Sequence, residues 1–104
     1  MYDGLFPKHV QDSLPPFRTG DDEIEYEDLT AQVKFFIPVG LGTWWAAEYD
    51  EETRTFFGMA DLGYRELGYF SLDELENYSG PLGLGIERDI HFEPVAMVEI
   101  MQGG

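Results

Sequence analysis

The chain has 104 residues, no cysteine, and 21 acidic against six basic residues, which gives a formal net charge of −15. This composition excludes disulfides and thiolate metal sites, and it argues against direct binding to nucleic acid or to an anionic membrane surface, because both require basic residues. Hydrophobic residues make up 43% of the chain and aromatic residues 15%, which is typical of one folded domain of this length.

The first 20 residues predict an entry segment with a short helix. Pro7 suits the first turn of this helix, and Pro15 stops it. The apolar residues near helical spacing are Leu5, Phe6, Val10 and Leu14. The segment lacks the pattern of a signal peptide, and no stretch of the chain reaches the ~20 apolar residues of a membrane span. We therefore expect a cytoplasmic protein.

Residues 21–30 form an acidic stretch without a basic residue. Glutamates alternate there with Ile24 and Tyr26, which is the period of an extended strand. Carboxylates on one side of such a strand are about 6.7 Å apart at ~3.3 Å per residue. DNA carries a charge about every 3.4 Å along each strand, so one such row is a sparse imitation of DNA. The acidic residues are Asp21, Asp22, Glu23, Glu25, Glu27 and Asp28.

Residues 31–94 predict an antiparallel sheet and one capped helix. Gly40 and Gly42 provide a turn, and the polar sequence DEET provides a four-residue hairpin loop. Ser71 and Glu74 form a capping box, which predicts a helix over 72–78. The expected strands are residues 31–38, 43–50, 54–60, 66–71 and 86–94.

Residues 95–104 form a C-terminal segment whose apolar part, 95–101, fits either a helix or a strand. The sequence as a whole predicts a single α+β domain over 1–104. Its architecture is an antiparallel meander of four or five strands with short helices packed on one face.

The expected core includes side chains from the first strand and from the helix. Because adjacent strand residues point to opposite faces, Phe35 and Phe36 are not both expected on one face. The same rule places Trp44 and Trp45 on opposite faces, so one of them is expected in the core. The other either packs under the N-terminal segment or is an exposed anchor for a partner. The other predicted core residues are Phe70, Leu72 and Leu75.

A second group of acids lies at the tip of the predicted hairpin: Glu48, Asp50, Glu51 and Glu52. If this group lies beside the acidic stretch, their combined field could bind the Lys/Arg groove of a nucleic-acid-binding protein. The alternative is that the acidic stretch is only a solvated connector.

The sequence ERDIHFE, residues 87–93, is the remaining candidate for chemistry. On a strand, Glu87, Asp89, His91 and Glu93 would face one way and could bind a divalent metal or act as a general base. The alternative is the polar outer face of an edge strand. We predict this second role, and therefore no catalytic residue, metal or other cofactor.

Five segments carry a resemblance to a small family known only as a domain of unknown function. They are VKFFIP (33–38), TWWAAEYD (43–50), TFFG (55–58), ELGYFSLDEL (66–75) and GPLGLGIERDIHFEP (80–94). The resemblance implies an origin in bacteria and on plasmids or other mobile elements. It implies no activity, cofactor or catalytic residue, and residues 21–28 lie outside it.

These observations predict a small acidic protein of a mobile genetic element, not an enzyme. Its expected partner is the basic surface of a host nucleic-acid-binding protein, such as a defence nuclease or a CRISPR effector, which it would block by charge mimicry. The alternatives are an accessory interaction module and, more remotely, a metal-dependent enzyme. The sequence leaves the oligomeric state open.

Overall fold

The computed structural model describes residues 4–17 and 28–103. Within these residues it has seven strands and three short α-helices. In chain order they are α1 (Lys8–Gln11), β1 (Thr30–Ala31), β2 (Val33–Phe36), β3 (Thr43–Asp50), β4 (Thr55–Asp61), β5 (Arg65–Ser71), α2 (Leu72–Asn77), β6 (Glu87–Arg88), β7 (Val95–Ala96) and α3 (Met97–Met101).

The main sheet has five antiparallel strands in the order β5-β4-β3-β2-β6. Strands β2 to β5 form a meander, and β6 returns to pair with the outer edge of β2. Strands β1 and β7 form a separate two-stranded sheet. The predicted α+β class and the antiparallel meander are therefore confirmed.

Two core clusters cover the opposite faces of the sheet. The first core cluster contains the β-strand residues Phe35, Trp44 and Phe56, with Leu72 and Leu75 of α2 packed on them. The second core cluster consists of Leu29, Ala31, Trp45, Ala47, Phe57, Met59, Met97 and Ile100. Because Met97 and Ile100 belong to α3, short helices lie on both faces of the sheet, and not on one face as expected.

A β-bulge in β3 divides the strand into two parts. Ala46 pairs with Gly58 and Glu48 pairs with Phe57, so Ala47 is an extra residue without its own partner on β4. The extra residue shifts the alternation of side chains by one position. Tyr49 therefore lies in the first core cluster with Trp44, although the two residues are five positions apart, which in a regular strand would place them on opposite faces.

Both tryptophans of β3 are buried. Trp44 belongs to the first core cluster and Trp45 to the second, as strand alternation predicts. Their exposed fractions are 8% and 7%, so the interpretation of one of them as an exposed anchor is wrong. The guanidinium carbon of Arg65 lies 5.2 Å from the centre of the Trp45 ring, which further covers it.

The strongest local signals of the sequence are confirmed. The hairpin forms from β3 and β4, with the hairpin loop at residues 51–54. Ser71 caps α2, because its hydroxyl accepts a hydrogen bond of 3.3 Å from the backbone N–H of Glu74. Leu72, Leu75 and Phe35 are buried as predicted, whereas Phe36 and Phe70 are half-buried.

The predicted strand over 86–94 is wrong in its length. Strand β6 spans two residues, and a turn follows at Ile90 and His91. The Asp89 carboxylate stabilises this turn by accepting a hydrogen bond of 2.9 Å from the His91 backbone N–H. As a result, Ile90 is exposed rather than buried, and the segment does not form one strand face carrying Asp89, His91 and Glu93.

The predicted strand over 31–38 is also divided. Strand β2 keeps only residues 33–36, while Ala31 pairs with Val95 in the smaller sheet. The ambiguous segment 95–101 contains both predicted alternatives, because β7 is followed directly by α3.

Candidate functional site

The hairpin loop, helix α1 and the start of α2 meet at one end of the main sheet. The backbone N–H of Leu72 donates a hydrogen bond of 2.9 Å to the carbonyl of Arg54, which joins α2 to the hairpin loop. The N–H of Tyr49 donates one of 3.0 Å to the carbonyl of Pro15, which joins the N-terminal segment to β3. We call this region the acidic end. Its carboxylates belong to Asp12, Asp50, Glu51, Glu52, Asp73 and Glu76.

Arg54 holds two of these carboxylates in place. Its φ of 55° turns the chain out of the hairpin in the left-handed region. Its guanidinium Nε lies 2.8 Å from the Asp73 carboxylate and its Nη2 lies 2.5 Å from that of Glu76. The hydrogen bond that Arg54 donates to the Asp73 carboxylate is the main reason why the pKa of Arg54 is raised, and the charge of Glu76 adds to it. The guanidinium therefore fixes the first turns of α2 against the hairpin loop.

Lys8 forms the corresponding ion pair on α1, where it holds the carboxylate of Asp12. Its ammonium nitrogen lies 3.1 Å from the carboxylate of Asp12, one turn later on the helix. The pKa of Lys8 is raised by this hydrogen bond and by the charge of Asp12, and the charge of Glu51 raises it slightly further. Lys8, Asp12 and Glu51 line the same groove, so α1 and the hairpin loop contribute charges to one surface.

Asp50 shapes the hairpin loop. Its carboxylate accepts a hydrogen bond of 3.2 Å from the backbone N–H of Thr53, and the Thr53 hydroxyl donates a second one. This is the usual way in which an aspartate stabilises a turn. The two carboxylates that follow it, Glu51 and Glu52, are exposed.

An open groove of about 580 Å³ runs between α1 and the hairpin loop. Glu51 and Glu52 line it on one side and Asp12 on the other, with Tyr49 among its lining residues. Burial raises the pKa of the Tyr49 hydroxyl; nearby Arg54 lowers it, and the charge of Glu51 raises it again. The groove thus combines exposed carboxylates with one neutral phenol.

The structure brings together only some of the predicted partner-binding residues. Asp50, Glu51 and Glu52 lie at the acidic end, whereas Asp28 is exposed next to buried Leu29 of the second core cluster. The predicted residues Asp21, Asp22, Glu23, Glu25 and Glu27 lie outside the described residues.

Glu48 departs from the expectation that it lies on the surface of the hairpin. Only 3% of it is exposed, because β3 is the central strand and both its faces are covered by core clusters; the bulge places Glu48 opposite Phe57 of β4. It therefore adds no exposed carboxylate to the acidic end. Sequence reasoning also missed Asp12, Asp73 and Glu76; the capping box gave the one local signal among them, since it placed Asp73 in the first turn of α2.

The alternative metal site is not assembled. Asp89 Oδ2 lies 4.0 Å from the ammonium of Lys34, and its Oδ1 serves the turn at His91. Across residues 4–17 and 28–103, no three His, Asp or Glu side chains are grouped so that they could hold a metal ion.

The opposite end of the sheet is apolar. The loops before β3 and after β4 meet there, since Thr43 pairs with Asp61. Leu41 is 67% exposed and Leu62 is 59% exposed. We call this region the apolar end. A groove of about 570 Å³ extends from these leucines along the first core cluster to Leu75 and Tyr78.

Comparison with known proteins identifies a family but no activity. The family described as protein of unknown function (DUF2958) matches residues 6–101, and the chain therefore belongs to this family. No curated protein and no solved structure matches the chain. None of the helices in the described part of the chain is long and apolar enough to cross a membrane.

Proposed function

We propose that this member of the DUF2958 family is a small acidic binding protein of a mobile genetic element. Its partner is a nucleic-acid-binding protein of the host, whose basic surface it occupies in place of DNA or RNA. The observation that carries this proposal is the acidic end, where six carboxylates gather around two cations, Lys8 and Arg54.

The charges of the acidic end support binding to a basic surface. Lys8 already pairs with Asp12, and Arg54 already pairs with Asp73 and Glu76, so both cations are engaged within the protein. Glu51 and Glu52 project from the same end and are exposed. A field of one sign speeds the encounter with a partner of opposite sign, and the net charge of −15 strengthens this field.

The test is capture of a host protein followed by competition with nucleic acid. The immobilised protein is incubated with bacterial lysate, and bound proteins are eluted with a salt gradient. We expect a nucleic-acid-binding protein to elute as salt rises, because the Debye length shrinks from ~10 Å at 0.1 M to ~3 Å at 1 M. After purification, this partner should lose its nucleic acid when the acidic protein is added.

Two charge variants separate the effect of the acidic end on binding from the effect of the total charge. Glu51→Gln combined with Glu52→Gln should slow association with the captured partner several-fold, since surface charges act mainly on the encounter rate. The matched control combines Glu66→Gln with Glu99→Gln, two exposed carboxylates on β5 and α3 that cause the same change in net charge. A partner that binds equally in all salt concentrations and together with its nucleic acid would contradict the proposal.

Neutralising the acidic stretch, residues 21–30, tests whether it contributes to binding of the captured partner. The six acids of residues 21–28 are replaced by Asn or Gln in one variant. If the stretch imitates phosphates, association should slow further than in the hairpin-loop variant. If it is a solvated connector, association should keep the unmodified rate.

A second candidate function is a non-enzymatic accessory module that binds its partner without blocking it. The apolar end favours this candidate, because Leu41 and Leu62 expose apolar surface that charge mimicry does not use. In that case the captured partner should retain its nucleic acid, and Leu41→Ser with Leu62→Ser should weaken the complex more than Glu51→Gln with Glu52→Gln.

A further inference from the structure

Strand β5 forms one edge of the main sheet. It is the first strand in the order β5-β4-β3-β2-β6, and across residues 4–17 and 28–103 no other strand pairs with its outer side. The strand has seven residues, contains no proline and pairs with β4 without a register shift. Proteins usually shorten, bulge or cover such an edge, because its backbone can pair with another chain. The outer side of β5 is therefore a candidate surface for strand addition.

The backbone groups on this outer side follow from the pairing of β5 with β4. The N–H of Leu72 donates a hydrogen bond of 2.9 Å to the carbonyl of Arg54, and the register continues unchanged from this pair along β5. Residues of an antiparallel pair exchange hydrogen bonds at every second position. Gly68 therefore bonds to β4, whereas Leu67 and Tyr69 direct their N–H and carbonyl groups outward.

The groove of the apolar end reaches the same strand. Tyr69, Phe70 and Ser71 all line it. Because consecutive side chains of a strand alternate between its faces, a groove on one face that touches all three residues reaches the backbone of β5. Gly68 precedes them, and a Cβ atom there would meet no other atom within 4 Å. A side chain of an added strand therefore has room to cross β5 at Gly68 and enter the groove.

The two faces of β5 favour different side chains in an added strand. The groove is mostly apolar, and the exposed Glu74 is the only charged residue among those described that line it. A side chain with an apolar stem and a cationic end, as in lysine or arginine, fits this face. On the other face, Tyr69 is 64% exposed with its ring centre 4.9 Å from that of Phe57, and Leu67 is half-buried. Apolar side chains fit there.

We propose that β5 receives an extended segment of a partner protein as a sixth strand of the main sheet. The segment runs antiparallel to β5, as all described pairs of this sheet do, with basic side chains towards the groove and apolar side chains beside Leu67 and Tyr69. This interaction goes beyond the proposed function, because it uses no residue of the hairpin loop or α1. A second copy of the chain is a poor occupant, since its Arg65 already pairs with Asp61 and each copy has a net charge of −15.

The probe is the peptide acetyl-KVKVKVK-amide, whose binding is followed by NMR and by amide hydrogen exchange. We expect saturable shifts along β5 and slower exchange of the N–H groups of Leu67 and Tyr69, whereas Gly68 should exchange slowly with or without peptide. The control acetyl-KKVVVKK-amide has the same composition and charge without the alternation, and it should bind at least about tenfold more weakly. Equal binding of both peptides would show mere attraction to the net charge and would overturn the proposal.

N-methylation of the peptide tests how the added strand is oriented. In the proposed antiparallel pairing, the N–H groups of the valines face β5 and those of the lysines face solvent. N-methylation of the three valines should weaken binding at least about tenfold, and N-methylation of the two central lysines less than about threefold. The reverse order of effects would contradict the proposed pairing.

Protein variants test the edge and the groove separately. Leu67→Pro removes one outward N–H and should weaken peptide binding about tenfold, while Leu67→Ala, which keeps this N–H, should weaken it less than about threefold. Glu74→Gln should weaken it about threefold, since glutamine still serves the capping box of α2. Glu51→Gln causes the same change in net charge at the acidic end and should alter it less than about twofold. Urea denaturation checks that each variant is folded; if Leu67→Pro is not, the N-methylated peptides decide.

Sedimentation of the protein alone distinguishes a partner segment from a second copy. We expect no dimer that depends on β5. A dimer that Leu67→Pro converts to a monomer, but Leu67→Ala does not, would show that a second copy occupies this edge and would overturn the proposal. Loss of the strand-addition site in these experiments would leave the proposed function standing, because salt-sensitive capture of a host protein tests the acidic end.

Discussion

The acidic end and the apolar end belong to the same strands, yet their surfaces are organised in different ways. At the acidic end, directional contacts set the positions of the polar groups: Asp50 holds Thr53, and Arg54 holds Asp73. At the apolar end, Leu41 and Leu62 extend from loops and are mostly exposed. Ion pairs and hydrogen bonds require defined geometry, whereas apolar contact does not. The acidic end is therefore the better candidate for selective recognition.

The two ends are separated by the length of β3 and β4. Strand β3 has eight residues, which corresponds to about 24 Å at ~3.4 Å per residue. Substitutions on one end should therefore leave the other end unchanged, as long as the sheet between them is intact.

The most damaging change should be one in the sheet that connects the two ends. A Cβ atom on Gly58 would lie 1.9 Å from the carbonyl oxygen of Trp45, which belongs to the rigid backbone of β3. We expect Gly58→Ala to lower the free energy of unfolding by about 3 kcal/mol or more, because overpacking against backbone forces the strands apart. Urea denaturation followed by tryptophan fluorescence measures this loss.

Gly68 is the matched control for that change. It pairs with Gly58 across β4 and β5, but a Cβ atom there meets no other atom within 4 Å. We expect Gly68→Ala to alter the free energy of unfolding by less than about 1 kcal/mol. Equal losses in the two variants would contradict the register of β3 and β4.

A smaller effect should distinguish the two ends directly. Ser71→Ala removes the cap of α2 and should cost about 1 kcal/mol in the free energy of unfolding. Because Asp73 and Glu76 lie on this helix, amide hydrogen exchange should speed up there and in the hairpin loop. Amide exchange in the loop at Leu62 should keep its original rate. The control is Ser79→Ala, which replaces an exposed serine beyond α2 and should change exchange at neither end.

The smallest effect concerns pH. The pKa of Tyr49 is raised in the folded protein, so folding retains a proton that the unfolded chain releases above about pH 10. The stability that this group contributes is complete below that pH and is lost as the pH rises towards the folded pKa. In Tyr49→Phe, the free energy of unfolding should therefore fall less steeply from about pH 9 to about pH 11.

Tyr64→Phe provides the comparison for the pH measurement. Tyr64 is 72% exposed on the loop that follows β4, so its replacement should leave the alkaline decline as it is in the unmodified protein. A decline of equal steepness in Tyr49→Phe and the unmodified protein would show that the Tyr49 hydroxyl is not protected at the acidic end.

The sequence predicted those parts of the fold that depend on neighbouring residues. Alternating apolar residues define the hairpin of β3 and β4, and the cap at Ser71 depends on a residue only three positions away. The end of β6 was missed because one hydrogen bond, donated by the His91 backbone N–H to the Asp89 carboxylate, replaces strand pairing. Such local competition between side chain and backbone is not visible in an apolar–polar pattern.

The acidic end was predicted only in part, because most of it is assembled by tertiary contacts. Asp50, Glu51 and Glu52 are adjacent in sequence and were identified from the hairpin. Asp12 and Glu76 are far from them in sequence and reach the same end only because α1 and α2 pack on the first core cluster. Glu48 is buried because β3 is central in the sheet and core clusters cover both its faces, which the position of Glu48 near the hairpin tip does not reveal.

The bulge at Ala47 shifts by one position the alternation of β3 side chains between the two faces of the sheet. Before it, even-numbered residues such as Trp44 point to the first core cluster; after it, the odd-numbered Tyr49 does so. If β3 kept all its residues but had no bulge, Ala47 would pair with Phe57 and Glu48 with Phe56, so Glu48 would take the place of Tyr49 in the first core cluster. The groove of the acidic end would then lose its phenol, although no residue lining it had been substituted. The bulge thus accommodates one extra residue in β3 and keeps Tyr49 on the same face as Trp44.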